Sequence, residues 1–439
     1  MFRKTPLESW IAGKIGVSSD VLKRQQIAEY QLGKLRETIR YARTQSPFYA
    51  RHLDGVSEGL LTSLEDLQHL PFTDAGNIRE NGVQLLCVSQ GDINRVVTLD
   101  SSGTSGEPKR VFFTAEDQEL TVDFFHAGMA TLVQPGESVL IALPGNRPGS
   151  VGDLLATALR RLGARPIPHG LVSDPAATIE IMRREQVECV VGLPVQILSL
   201  VRCRGPFANV PSRFLKRVLL CSDHVPERIV QEIKHEWECE VFEHYGMTEM
   251  GLGGGVDCEA HSGYHVREAD LYFEIVDVDT GEPMPAGQSG EIVFTTLTRR
   301  GMPLIRYRTG DISRLLPETC PCGSVLRRLD RIRLRKGGRI SLGSNSRITI
   351  ADLDEALFGL PRLKEFTASV VHGNPSTLIV TAVPFRDGDV RQETVRALLD
   401  TVPTIRSAEQ SRELQVVIKI SESDFPLCAG KRKIMEQVA

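Results

Sequence analysis

Between Val21 and Thr44 the apolar residues Leu32, Leu35, Ile39 and Ala42 recur at three- and four-residue steps, and Ser46-Pro47 ends the pattern. Residues at that spacing share one face of a helix, so the segment predicts a single amphipathic helix. Farther on, short apolar runs at Val139 to Leu143, Val187 to Leu193 and Leu215 to Leu220 alternate with segments of helical period such as Asp153 to Leu162 and Glu227 to Glu236. That alternation predicts a parallel sheet with helices between its strands. From Leu271 to Leu297 the pattern becomes strand, turn, strand, punctuated by Asp279-Thr280-Gly281 and Pro285-Ala286-Gly287, which predicts a β-rich subdomain. Beyond about Arg331 comes a smaller α+β series: a strand, a helix over Ala351 to Phe358, two strands through Pro384, a further helix, and a strand over Leu414 to Ile420.

The expected class is therefore α/β, with a large N-terminal domain over residues 1–330 and a small α+β domain over 331–439. A chain of 439 residues exceeds the size at which one core usually stays single, which supports the division. Apolar residues at 41% and charged residues at 25% leave ample core and exclude general disorder. A net charge of −4 without a Lys/Arg block argues against nucleic acid or an anionic membrane as partner. Charges and Pro6 within Met1 to Ile15, and the lack of any 18-residue uncharged apolar run, point to a cytoplasmic protein. Nine scattered cysteines, an odd number, read as reduced thiols, except that the spacing of Cys320-Pro321-Cys322 suggests a metal.

Four short segments carry candidate chemistry. Ser101-Ser102-Gly103-Thr104-Ser105-Gly106-Glu107-Pro108-Lys109 follows the strand-like Arg95 to Leu99. Its glycines let backbone N–H groups approach an anion, its hydroxyls add donors and Lys109 adds charge, in a spacing unlike the Walker A loop. By composition alone it could be an ordinary Gly/Ser turn. Tyr245-Gly246-Met247-Thr248-Glu249 follows Val241 to His244, and alone reads equally as a helix start capped by Thr248. Ile305 to Asp311 ends in a carboxylate able to accept two hydroxyls, or in a plain turn aspartate. Gly430-Lys431-Arg432-Lys433 by itself is a solvated basic tail.

Together these segments resemble the adenylate-forming superfamily of acyl-CoA synthetases, luciferases and adenylation domains, and more narrowly its phenylacetate-CoA ligase branch. The narrower resemblance runs from Leu35 to the C-terminus, through Ser46-Pro47-Phe48-Tyr49, Ser63 to Leu67 and Leu70-Pro71-Phe72. It implies an AMP-forming carboxylate–CoA ligase that uses ATP, Mg²⁺, a small carboxylic acid and coenzyme A, often as a homodimer, with a mobile small domain. Ser101, Ser102, Gly103, Thr104, Ser105, Gly106 and Lys109 correspond to the phosphate loop. Tyr245 corresponds to the adenine-stacking residue beside Gly246, Thr248 to a phosphate contact, Glu249 to the magnesium ligand, and Asp311 with Arg328 to the ribose contacts. Lys431, with Lys433 as its neighbouring alternative, matches a lysine that enters for adenylation and leaves for thiol attack. Asp330 is then the hinge, although Arg327 to Arg331 lacks the glycine and the second acid of the usual Gly-Arg-x-Asp-Asp.

Phe124 and Phe125 could form one apolar wall of an acyl pocket with His126 as a polar marker, although an aromatic pair on a helix is usually core, and the stretch that walls the pocket in aryl-specific relatives has a polar edge here at Asn146 and Arg147. Ser222 and Asp223 stand in Cys221-Ser222-Asp223-His224 where relatives have Gly-Ala-Glu-Pro. Cys258, His265, Cys320 and Cys322 could close a tetrahedral, structural zinc site, with His261 competing for the histidine place; free thiols and a redox switch are the other readings. Two other functions stay open: adenylation with transfer to a carrier-protein thiol, an amine or a deazaflavin cofactor, and a degenerate nucleotide-binding regulator.

Overall fold

The structure, a computed structural model, describes residues 2–18, 22–56, 59, 61–99, 108–203, 214–422, 427 and 430–438. The chain divides into two compact units, one made of Met1–Pro135, Arg147–Ala164 and His244–Arg331, the other of Gly136–Asn146, Arg165–Glu243 and Ile332–Ala439.

In the first unit the amphipathic helix is Arg24–Gln45, which buries Ile27, Leu35, Ile39 and Ala42. Two polar residues on its buried face fix where it docks. The Gln31 amide donates to the Glu268 carbonyl at 2.9 Å, and the Thr38 hydroxyl to the Leu297 carbonyl at 2.9 Å. Strands Leu271–Val276, Gly290–Thr296 and Tyr307–Ser313 form an antiparallel meander, the β-rich piece expected from the turns around Gly281 and Gly287. Strands Arg95–Leu99 and Lys109–Phe113 pair antiparallel with Leu99 opposite Lys109. Helix Ala115–Met129 starts at a capping box formed by Thr114 and Asp117.

The second unit holds parallel strands in the order Arg165–Pro168, Ser138–Ala142, Cys189–Gly192, Arg217–Leu220 and the start of Glu240–Tyr245. The inner strands Ser138–Ala142, Cys189–Gly192 and Arg217–Leu220 are mostly apolar and buried, as strands covered on both faces require, whereas the edge strand Arg165–Pro168 is partly exposed. Residues 332–439 add a sheet ordered Leu414–Ile420, Ser376–Pro384, Leu363–His372, Ile434–Val438, antiparallel in the middle and parallel at both flanks. The single helix expected after Pro384 is two, Gln392–Leu399 and Pro403–Gln410, because Pro403 cannot continue the first and instead opens the second. Strand Ile434–Val438 was not expected from the pattern at all.

This unit shares one apolar core, in which Val190, Ile197, Ile233 and Trp237 cluster with Leu353, Phe358, Phe366 and Val380. Polar ties reinforce it. Arg202, with its side chain 3% exposed, donates to the carbonyls of Phe358 at 2.6 Å, Leu360 at 2.9 Å and Leu363 at 2.7 Å while paired with Glu232. The Glu355 carboxylate accepts from the Glu227 and Arg228 N–H groups at the start of helix Glu227–Trp237, where it satisfies orphan donors. Among the described residues no helix is long and apolar enough to cross a membrane.

Candidate active site

Strand Glu240–Tyr245 ends at Tyr245, and a 3-10 turn, Thr248–Met250, follows. The turn is capped by Met247, so Thr248 is its first residue rather than its cap. Gly246 is required here: a Cβ would stand 2.2 Å from the Leu252 carbonyl oxygen. The turn buries Glu249. Its Oε1 accepts from the Tyr307 hydroxyl at 3.1 Å and from Lys109 Nζ, and Lys109 also lies 3.5 Å from that hydroxyl. Beside this triad the Tyr245 hydroxyl donates to Asp311 Oδ2 at 3.0 Å, and the Tyr245 ring stacks on Tyr264 at 6.2 Å.

Strand periodicity explains the geometry. Tyr307, Thr309 and Asp311 alternate onto the buried face of Tyr307–Ser313. Arg299 ties the turn to the neighbouring hairpin: it donates to the Glu249 carbonyl at 2.7 Å and the Phe112 carbonyl at 2.9 Å and lies 4.4 Å over the Phe113 ring. Burial lowers its pKa, as expected for a guanidinium stripped of water. Tyr307 and Arg299 were missed by sequence reasoning. The period-two signal through Tyr307 and Asp311 could have found the first; nothing local marks the second.

The first unit thus brings together Lys109, Tyr245, Gly246, Thr248, Glu249 and Asp311. Ser101, Ser102, Gly103, Thr104, Ser105 and Gly106 lie outside the described residues. Arg328 donates to the Ser262 hydroxyl and carbonyl and to the Glu318 carbonyl, so its described bonds tie two loops together. Asp330 accepts from Arg314 at 2.9 Å, and its carbonyl accepts from Ser313.

Phe124 and Phe125 are both buried on helix Ala115–Met129, whereas His126 is partly exposed. Phe124 packs edge-on to Trp10 at 6.1 Å, and Gly253 makes room for it, since a Cβ there would stand 2.3 Å from the ring. A third member is His244, 6.3 and 6.2 Å from the two Phe rings. Its Nε2 is buried without a partner among the described residues, and burial holds the ring down to about 4. Asn146 and Arg147 are exposed. In the second unit Ser222 sits at φ 74, a strained value for a non-glycine residue. Asp223 accepts the Arg432 N–H at 3.0 Å, and its carboxyl is pushed up by burial. Lys431 and Lys433 are exposed, and the Arg432 side chain between them is buried.

The sulfur-rich residues do meet. Cys258, His265, Cys320 and Cys322 are all buried and offer ligand atoms within 4.8 Å of one another. The Cys258 and Cys320 sulfurs are 3.7 Å apart, and Cys322 Sγ is 3.4 Å from His265 Nε2. His261 is not in the cluster; it pairs with Asp257 at 2.8 Å. The cluster is electrostatically tense. A hydrogen bond from Cys258, joined by His265, holds the Cys322 thiol down to about 3 against burial, while Cys258 is pushed up. Burial opposes the imidazolium of His265, yet Cys320 and Cys322 outweigh it and raise the ring to about 9.

Comparison with known proteins finds relatives in sequence and in fold. The family model described as AMP-binding enzyme matches residues 95–297. A phenylacetate-coenzyme A ligase of Thermus thermophilus is 31% identical over 312 residues, 69% of each chain. One of Escherichia coli is 30% identical over 319 residues, 70% of each chain. Among solved structures, a 2-hydroxyisobutyryl-CoA ligase in its postadenylation state has a TM-score of 0.77 at 20% identity, covering 94% of this chain and 89% of that one. That likeness is one of fold.

Proposed function

This chain belongs to the AMP-binding enzymes, in the phenylacetate-CoA ligase-like branch of the adenylate-forming superfamily, and from that premise we propose that it is an AMP-forming carboxylate–CoA ligase. A carboxylate oxygen attacks the α-phosphorus of ATP, pyrophosphate leaves with the electrons of the broken P–O bond, and an acyl adenylate forms. The CoA thiolate then attacks the acyl carbonyl, and AMP leaves as the thioester forms. Neither step needs a serine or cysteine nucleophile, so catalysis rests on alignment and on neutralising charge.

The observation that carries this reading is the meeting of Lys109 and Tyr307 on one oxygen of Glu249, beside the Tyr245–Asp311 pair. Lys109 is an ammonium that a phosphate oxygen can take over, and Thr248 adds a hydroxyl; Ser101 to Gly106, outside the described residues, belong to this site by the sequence resemblance alone. Tyr245 offers its ring to adenine and Asp311 its carboxylate to the ribose hydroxyls. Phe124, Phe125 and His244 back the acyl side, which suits a small aryl acid such as phenylacetate. Lys431 bonds the carboxylate and α-phosphate for the first step and withdraws for the second, with residues 331–439 turning about Asp330.

Two metals fit the residues present. Both described bonds to the Glu249 carboxylate fall on Oε1, so Oε2 remains for a hard cation such as Mg²⁺, which when bound neutralises the polyphosphate. For zinc, bonds of about 2.3 Å to sulfur in a tetrahedron put sulfurs roughly 3.8 Å apart. The 3.7 Å between Cys258 and Cys320 agrees, and Cys322 with His265 closes the set, which makes the site structural. Metal analysis of the purified chain should return one tightly held zinc; a chain retaining none refutes that assignment.

The deciding experiment is ATP–pyrophosphate exchange over a panel of carboxylic acids, with and without CoA. Exchange driven by phenylacetate-like acids and AMP release that needs CoA are expected. If no acid supports exchange, the ligase reading fails; exchange indifferent to CoA moves the acceptor to a carrier-protein thiol or an amine.

A further inference from the structure

The basic run Gly430-Lys431-Arg432-Lys433 is not uniform. Lys431 and Lys433 are exposed, whereas the Arg432 side chain is only 6% exposed and points into the second unit. There its guanidinium pairs with Asp354, itself 3% exposed, and donates to the Phe366 carbonyl at 3.1 Å. It also lies 4.7 Å over the Phe358 ring and 4.3 Å over the Phe366 ring. A guanidinium is suited to such a seat, since its planar fork bonds in the plane while its faces stack. The Arg432 N–H is held separately, by Asp223 at 3.0 Å.

Asp223 is itself well placed to hold a loop. It lies just past strand Arg217–Leu220, where the Cys221 N–H donates to the Gly192 carbonyl at 3.1 Å. Its environment includes the charge of Lys431 as well as that of Arg432. Downstream, strand Ile434–Val438 is fixed by parallel pairing from Ala368 opposite Ile434. The Cα of Lys431 is therefore one peptide, about 3.8 Å, from a residue held at both backbone and side chain.

We propose that Arg432 is a positioning residue for Lys431: the buried Arg432–Asp354 pair and the Asp223 carboxylate together set the loop that presents the lysine. The proposal rests on the reading of Lys431 as the adenylation lysine, and it assigns to Asp223 a mechanical part in place of a contact with the acyl group.

The test separates the half-reactions in the full-length enzyme, with phenylacetate as the acid. Arg432→Ala should lower kcat for ATP–pyrophosphate exchange about 100-fold, the size expected for misplacing a reacting group by roughly 1 Å. The KM for ATP, and the CoA-dependent conversion of supplied phenylacetyl adenylate, should stay unchanged. Arg432→Lys should recover part of the loss. Asp223→Asn leaves the buried pair intact and serves if Arg432→Ala folds poorly; it should lower exchange about tenfold, the worth of a hydrogen bond to a charged acceptor. Full exchange in both Arg432→Ala and Asp223→Asn, while Lys431→Ala abolishes it, overturns the proposal and leaves the ligase reading standing. Equal losses in both half-reactions overturn it as well, since they mark a general structural role. Exchange retained in Lys431→Ala removes the underlying reading instead.

Discussion

Each unit holds an ion pair on a buried carboxylate, and the two are built from different cations. In the first, Lys109 reaches Glu249 with side-chain exposures of 17% and 2%, through a single ammonium on a flexible stem. In the second, Arg432 meets Asp354 at 6% and 3%, and its guanidinium is also stacked on two rings and bonded to a carbonyl. An ammonium is a compact charge that can trade one anion for another, whereas a stacked and forked guanidinium is fixed by its shape. Under the proposed function two pairs of similar charge serve opposite ends: the first would be parted by an incoming polyphosphate, while the second stays shut.

The strongest way to break that contrast is Asp354→Ala, which leaves Arg432 buried without its anion. A loss of about 3–5 kcal/mol in urea unfolding is expected, as for other buried pairs deprived of one partner. A loss below about 1 kcal/mol, the range of exposed pairs, shows that the second pair is not structural. Next comes Glu249→Gln, which should cut ATP–pyrophosphate exchange about 10²–10³-fold while leaving the urea midpoint nearly in place, as when one preorganised charge contact is removed from an active site. Undiminished exchange makes the first pair structural too.

His244 sharpens the comparison as a half-buried group whose buried Nε2 has no hydrogen-bond partner among the described residues. Burial holds it near 4, below the usual 6.5, so the unfolded chain binds its proton first. Stability is therefore full above about pH 6.5 and is lost as pH falls towards 4, by roughly 3 kcal/mol at that ring. His244→Gln should flatten the unfolding midpoint across this window, and an unchanged slope assigns the acid sensitivity elsewhere. The smallest effect is expected from Tyr307→Phe, which removes one neutral donor from Glu249. That change should lower exchange by about 0.5–1.5 kcal/mol, up to roughly tenfold, and a larger drop gives Tyr307 a direct part in binding ATP.

The motifs of the first unit were legible because each is local. Tyr245 to Glu249 and Ile305 to Asp311 carry their turn glycines and carboxylates within a few residues. Their partners were not, because Lys109 reaches Glu249 across 140 residues and Arg299 touches Phe112 across 187. The choice of His265 over His261 needed the structure for the same reason: His265 lies on strand Tyr264–Val266 with the cysteines, whereas His261 turns back to Asp257. In the second unit the strands and helices could be read one by one, but not their assembly from three stretches of chain. Strand Ile434–Val438 escaped notice because five residues containing Glu436 and Gln437 show little alternation, and only its parallel neighbour makes it a strand.

Arg202 bears on the pace of turnover. If residues 331–439 swivel once in every cycle, its hold on the carbonyls of Phe358, Leu360 and Leu363 has to open and close each time. Together with the apolar core it reinforces, that side chain then acts as the escapement of the machine: a softer grip speeds the swivel and loosens its resting pose, and a firmer one makes release, rather than bond chemistry, the slow event.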